Sequence, residues 1–370
     1  MIRENRYVYH LAFGPDSTSG ANESVYQSDS FAVYSWDCGL FVLFCHREIL
    51  ELLSGESLML PTACTLSFKK ARIMSTLPIF IYSENYNMDL GEHVFPSVKY
   101  RVIREALRQD ERFQHHKFLE PLMLSYEEAG TVHKKPYLED LKQLNFSKRV
   151  YRSELPLNRM IVDAFFLGSG GTLLAAEMAL QHRLAMNLAG GFHHAFADHA
   201  EGFCYLNDVA IAIRVLQKQK KIRKALVIDL DVHQGNGTAR IFRNSRSVFT
   251  FSIHEEKNYP PKEKGSLNIG LESGTSDEKY LQVLTDSLKQ VRKKFKPDLV
   301  AYVAGVDPYE NDRLGGLSIS KEGLATRDTI VRDTFSDIPM FAVLAGGYAI
   351  NTQDTVDLHV QTCEVLAGFR

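Results

Sequence analysis

Cysteine is sparse in this chain and nowhere paired. Cys38, Cys45, Cys64, Cys204 and Cys363 are scattered along 370 residues, so no close-spaced pair forms a metal knuckle and an odd thiol remains in any fully bridged scheme. A reducing, cytoplasmic setting fits this usage best. An excess of one charge is also missing, the formal net charge being -2. Basic stretches are as short as Lys218-Gln219-Lys220-Lys221, which argues against direct nucleic-acid binding, since phosphate recognition concentrates Lys and Arg on one surface. No apolar run approaches the roughly 20 residues that a membrane helix needs; the run from Gly39 to Cys45 is far too short. The N-terminus lacks the apolar centre of a signal peptide. Repeats and low-complexity tracts are absent too. What is present is an ordinary globular composition, at a length suited to one large α/β domain or two smaller ones.

Residues 1–73 are rich in Ser, Tyr and isolated polar residues with little periodicity, and are read as a poorly ordered N-terminal extension of unassigned role. Within them, 36–53 has Phe41, Phe44, Ile49 and Leu52 at spacings that predict an amphipathic helix. Residues 74–370 are read as the main domain. Here the pattern becomes regular, with an apolar run Ile79-Phe80-Ile81-Tyr82 and a helix over 99–108. Strands are predicted at 187–189, 225–230, 248–253, 299–303 and 340–344, alternating with helices at 172–182, 207–219, 276–295, 321–334 and 355–366. That alternation predicts an α/β fold with a central, mostly parallel sheet flanked by helices.

In such sheets ligands gather beyond the carboxyl ends of the strands. The run from Val227 to Gly237 carries Asp229, Asp231 and His233 on one face of an extended segment, with Leu230 and Val232 packing behind. Crowded polar groups at a buried strand end are costly unless something pairs them. A divalent cation would do so, and Asp oxygen with His nitrogen suits zinc or a neighbouring transition metal. The other strands run into Gly190-Gly191-Phe192-His193-His194, Ser252-Ile253-His254, Gly305-Val306-Asp307-Pro308 and Gly346-Gly347-Tyr348. Taken singly, a histidine pair is more often a hydrogen-bonding pair, and an Asp before Pro a turn residue. Jointly, five polar strand ends point to a site. Asp231, His233 and Asp307 supply three ligands and leave a position open for water and a substrate carbonyl. His193 and His194 can move the water's proton, and Tyr348 can donate to a developing oxyanion. These roles imply amide hydrolysis.

Gly190 to Ala195, Glu201-Gly202-Phe203-Cys204, Asp229 to Gly237, residues 305–315 and Gly346-Gly347-Tyr348 together resemble the histone deacetylase superfamily, in order and spacing from about residue 78 to the C-terminus. His233-Gln234-Gly235-Asn236-Gly237, Tyr259-Pro260 and His93-Val94-Phe95-Pro96 with Lys99 resemble its class IV and related bacterial branch. The resemblance implies an arginase/deacetylase-like three-layer fold with zinc, or iron(II) in its place, on Asp231, His233 and Asp307. It implies His194 as main general base and acid, His193 oriented by Asp229, and Tyr348 polarising the acyl carbonyl. Gly202, Phe203 and Tyr259 would line a tunnel for an acyl-lysine stem. Potassium would sit beside the zinc on Asp229, Ser252 and Ile253 with main-chain oxygens of Asp231 and His233, and at a second site near Phe242, Ser245 and Val248.

The implied substrate is an acyl-lysine protein or peptide, or an acylated polyamine. Many family members have aspartate where this chain has Asn236, so the partner expected behind His194 is a neutral amide, as in class IV relatives. An arginase-type dinuclear hydrolase needs a further carboxylate just after the Asp-Val-His unit, where Gly235 and Asn236 stand. A non-catalytic acyl-lysine reader is the alternative from another class.

Overall fold

The computed structural model describes residues 77–370, together with five strands nearer the N-terminus. The chain divides into two units, Met1–Ser75 and Thr76–Arg370. In the first, Val8–His10 pairs antiparallel with Lys69–Ala71, and Ser24–Ser28, Phe31–Ser35 and Phe41–Leu43 form an antiparallel sheet. The helix predicted over 36–53 gives way to strand at Phe41–Leu43; its remainder lies outside the described residues.

The second unit is built on an eight-stranded sheet in which every pairing is parallel. In chain order its strands are β1 Ile79–Ile81, β2 Phe118–Leu119, β3 Leu184–Asn187, β4 Ala225–Asp229, β5 Val248–Glu255, β6 Leu267–Leu271, β7 Leu299–Val303 and β8 Met340–Val343. They lie side by side in the order β6-β5-β4-β7-β8-β3-β1-β2. The central strands read as unbroken apolar runs because both faces are covered: every residue of β4, β7 and β8 is buried. At the edge, β6 alternates half-buried and exposed residues and escapes prediction.

Seven helices matter here: α1 Lys99–Gln109, α2 Arg159–His182, α3 Asp208–Lys218, α4 Asn236–Phe242, α5 Asp277–Lys294, α6 Lys321–Thr334 and α7 Thr352–Leu366. One packed group joins α2 to α3; another joins α1 to α7, α7 to α6 and α6 to α5. The sequence places only the second half of α2, because Gly168-Ser169-Gly170-Gly171 reads as a break. In the fold those four residues are buried mid-helix, and the helix begins where the Asn158 side chain accepts from the Ile161 amide at 2.9 Å. By length and composition α2 matches a membrane span, contrary to the expectation that no segment is long enough. It is instead a core helix, packed on β1, β3 and β8. Because the strands are parallel, the carboxyl ends of β3, β4, β7 and β8 share one edge, and the segments after them meet there.

Candidate active site

Beyond Asp229 the chain leaves β4 and folds over the sheet edge, with Leu230 and Val232 fully buried as anchors. This brings Asp231 and His233 together with Asp307 from the loop after β7. Their ligand atoms all lie within 4.8 Å of one another, and all three residues are buried. His233 Nδ1 is 3.1 Å from Asp231 Oδ1 and 3.2 Å from Asp307 Oδ2. Backbone amides hold the carboxylates in place: Gly346 N–H donates to Asp231 Oδ2 at 3.0 Å and Val232 N–H to Asp307 Oδ1 at 2.8 Å. Gly346 has no substitute, since a Cβ there would stand 2.2 Å from Asp307 Oδ2 and 2.5 Å from Asp231 Oδ2.

The electrostatics of this trio call for a cation. Burial and then the Asp231 charge push the Asp307 carboxyl up to about 7. Burial opposes the Asp231 charge as well, but His193 and His233 outweigh it and hold that carboxyl well below its usual range. Burial lowers His233, yet the two carboxylates raise it to about 10. Two buried carboxylates converging with one imidazole are the donor set that a zinc-type ion satisfies. The loops are braced by buried cations. Lys99 Nζ donates to the Ala345 carbonyl at 2.6 Å, and Arg327, paired with Asp328 at 2.8 Å, donates to the Gly305 and Leu230 carbonyls. Lys99 is lowered to about 8 by burial, against the raising influence of Asp307, Asp231 and Asp312.

Beside the trio stand His193 and His194. His193 Nδ1 lies 2.8 Å from Asp229 Oδ2, and the two Nε2 atoms are 3.1 Å apart. Burial lowers His193, but Asp229 and Asp231 overcome it and raise the ring to about 9. His194 goes the other way, well below its ordinary value, through burial and the neighbouring His193 and His233. Asn236, the first residue of α4, faces His194 with Oδ1 at 2.8 Å from Nδ1.

Asp231, His233, His193 and His194 floor a cavity of about 200 Å³, with Phe95, Phe203, Tyr259 and Leu314 among its walls and Tyr348 beside them. Ring centroids are 5.2 Å apart for Tyr259 and His194, and 6.3 Å for Phe203 and Tyr348. Gly202 lies beneath His194 at φ +50°, where an added Cβ would be 2.7 Å from His194 Cδ2. The Tyr348 phenol is raised well above its usual range by burial and by Asp307 and Asp231, so it stays a hydrogen-bond donor. A larger cavity, about 1080 Å³, opens behind Asn236 and Glu201. None of the metal trio, the histidine pair or Tyr348 lines it, which places the chemistry in the smaller one.

The structure thus gathers Asp231, His233, His193, His194, Gly202, Phe203, Tyr259 and Tyr348 around one pocket, with Asp307 buried against Asp231 and His233 and Asn236 behind His194. Asp229 stands one layer behind, buried, its carboxyl raised by burial against the lowering influence of His193. Ser252 is its neighbour in the β4–β5 register, and the Ser252 hydroxyl lies 2.9 Å from His254 Nδ1. Phe242, Ser245 and Val248 form a separate turn, Ser245 N–H donating to the Phe242 carbonyl and Val248 N–H to the Ser245 hydroxyl. Three residues have roles the sequence leaves unassigned. Asp312 accepts from the Tyr348 amide at 2.6 Å, exposed Glu154 lines the pocket, and Glu201 accepts from Asn236 Nδ2 at 2.9 Å. Asp312 and Glu201 lie inside the quoted motifs, which was the available signal; Glu154 offered none.

Comparison with known proteins agrees with this geometry. The chain is 40% identical over 284 residues to an uncharacterized protein of Picosynechococcus, covering 75% of this chain and 95% of that one. It is 30% identical over 287 residues to histone deacetylase 2 of Arabidopsis thaliana, covering 72% and 74%. A probable deacetylase of Archaeoglobus fulgidus is 32% identical over 266 residues, covering 66% and 74%. The histone deacetylase domain matches residues 93–363, and with the parallel sheet and the site at its edge this places the chain in the histone deacetylase family.

Proposed function

We propose that the protein is a metal-dependent deacylase that hydrolyses the amide of an acyl-lysine side chain. The observation that carries this is the convergence of the Asp231-His233-Asp307 trio, two of whose members floor the pocket, with His193, His194 and Tyr348. Asp231, His233 and Asp307 would hold the ion, zinc or iron(II), which supplies Lewis acidity to the acyl oxygen and to water. His194, kept neutral by burial and the neighbouring His193 charge, takes a proton from the attacking water at Nε2. It returns that proton to the departing lysine nitrogen. His193, charged through Asp229, stabilises negative charge developing beside it, and Tyr348 donates its hydroxyl to the same oxyanion.

A cavity of about 200 Å³ falls below the roughly 300–1,000 Å³ of sites for drug-sized ligands, which supports a short acyl group such as acetyl. Phe203 and Tyr259 would flank the aliphatic stem. A second reading, an acylated polyamine, draws support from exposed Glu154 at the pocket, whose carboxylate suits a cationic amine. Potassium on Asp229, Ser252 and Ile253 belongs to the same proposal, as does a cytoplasmic setting, with which the free, buried Cys204 and Cys363 agree.

The test is turnover of lysine peptides with graded acyl lengths beside acetylated polyamines. Acetyl-lysine peptide should be hydrolysed, and His194→Ala and Tyr348→Phe should each abolish turnover. Binding without hydrolysis would leave a reader in place of an enzyme.

A further inference from the structure

Glu201 is buried, lines the larger cavity and takes no part in the chemistry just described. Its carboxylate nevertheless ends a chain of side chains that begins at His194. His194 Nδ1 meets Asn236 Oδ1 at 2.8 Å, and Asn236 Nδ2 meets Glu201 Oε1 at 2.9 Å. Glu201 Oε2 is held by Arg152 at 2.8 Å, with His199 Nε2 at 3.5 Å. We propose that Glu201 is a positioning residue which, through the Asn236 amide, decides which ring nitrogen of His194 carries hydrogen.

The argument is one of donors and acceptors. An amide has one end that only accepts and one that only donates, so it can face its neighbours in two ways. A carboxylate only accepts. Burial raises the Glu201 carboxyl, but His199, Asn236 and Arg152 outweigh burial and keep it ionised. Asn236 must therefore turn its NH2 toward Glu201 and its oxygen toward His194. The Gly237 N–H, 3.0 Å from the same oxygen, supports that orientation. An oxygen facing Nδ1 requires Nδ1 to be the protonated nitrogen. In the neutral ring Nε2 is then left with its lone pair on the side of His193 Nε2 and the pocket, as a general base requires. The Gly237 amide and the Glu201 carboxylate fix this orientation from the two ends of the Asn236 amide, and only the carboxylate lies on a side chain that can be exchanged.

Glu201→Gln tests the idea with almost no change of shape. Arg152 only donates, so it draws the oxygen of the substituted side chain and leaves the introduced NH2 facing the Asn236 NH2. That clash is relieved in the fraction of molecules in which Asn236 turns over, giving up its contact with the Gly237 N–H; there a donor faces His194 Nδ1 and hydrogen on Nε2 gains population against the His193 contact. The readout is nitrogen NMR of histidine labelled at both ring nitrogens, in zinc-loaded protein at a pH where neutral rings dominate, about 8. His194 in the unmodified protein should carry hydrogen on Nδ1. Glu201→Gln should add an Nε2–H population and lower kcat by roughly 10- to 100-fold, the usual scale for such supporting partners, with KM within about threefold. The exchanged pair Glu201→Gln with Asn236→Asp puts an acceptor-only group back against Nδ1, and should recover the Nδ1–H signal and most of kcat. A purely structural role would not be repaired by that exchange.

Hydrogen on Nε2 in the unmodified protein would overturn the proposal. So would Glu201→Gln with unchanged signals and kcat, or a double variant no better than the single one. The kcat arm rests on the deacylase reading, whereas the nitrogen signals do not. If no acyl-lysine peptide is turned over, that reading fails and the signals still decide the role of Glu201.

Discussion

The Nε2 atoms of His193 and His194 are 3.1 Å apart, so one ring donates to the other. Asp229 settles the direction. It receives the Nδ1 hydrogen of His193 and raises that ring to about 9, against burial, while His194 is held low. In the proposed mechanism the adjacent histidines therefore divide the work between a cation and a base.

Removing the Asp229 charge should undo that division. His193 has a folded pKa above the unfolded value near 6.5, so its charged form is present below about 9 and is lost as pH rises through that value. The same interaction contributes stability that is complete below about 6.5 and disappears through about 9. Asp229→Asn should move the alkaline limb of the kcat profile to lower pH. Profiles of the two proteins that superimpose would show that Asp229 does not set the charge on His193.

Asn236→Asp should keep measurable activity while moving the acid limb of the profile upward. A carboxylate against His194 favours imidazolium, so the ring loses its proton at higher pH than with an amide partner. The new carboxylate would also face Glu201 across the present 2.9 Å contact, and two carboxylates that close share a proton. That tempers the shift. A kcat/KM profile is the measurement, and an acid limb that stays where it is would remove Asn236 from the tuning of His194.

Much of this site is legible in the sequence because buried parallel strands write themselves plainly. Residues 225–230 and 299–303 are apolar runs that stop at polar or glycine-rich turns, and each turn proved to line the site. Less is legible where the partner is distant or the pattern is broken. Lys99 reaches the Ala345 carbonyl 246 residues away, and no local pattern announces a buried lysine brace. Asp312 binds the Tyr348 amide 36 residues on. The first half of α2 hides behind small residues that suit a packed core helix as well as a loop. At the other edge, β6 exposes two of its five residues and buries only Leu271, and so carries little apolar signal.

Metal removal should destabilise the protein and not merely silence it. Asp231 and Asp307 share a buried space with His233, and without a metal ion their charges are offset only in part, by neighbouring imidazoles and the buried Lys99. A bound ion adds stability as RT ln(1 + [L]/Kd), about 4 kcal/mol at a thousandfold excess over Kd. Chelation should therefore lower the Tm, and zinc should restore it. Metal analysis should find one transition metal per chain, since Gly235 and Asn236 offer no carboxylate for a second. Two tightly held transition metals per chain would favour the dinuclear alternative.

Gly202→Ala should damage both activity and stability, for two independent reasons. The backbone there has φ +50°, a region that L side chains adopt at a cost of order 1–3 kcal/mol. Separately, the new methyl group would sit 2.7 Å from His194 Cδ2 and 2.8 Å from the Tyr259 hydroxyl. Tyr259 is partly exposed and can swing away. The His194 ring cannot move freely, because Asn236 and His193 hold both of its nitrogens. The strain should therefore be relieved partly by tilting the proposed base, and kcat should fall by roughly 10-fold or more for a displacement on the scale of an ångström. Denaturant midpoints and kcat on an acetyl-lysine peptide separate the two effects: a lower midpoint with kcat intact would mean that Tyr259 alone gives way and that Gly202 serves the backbone only.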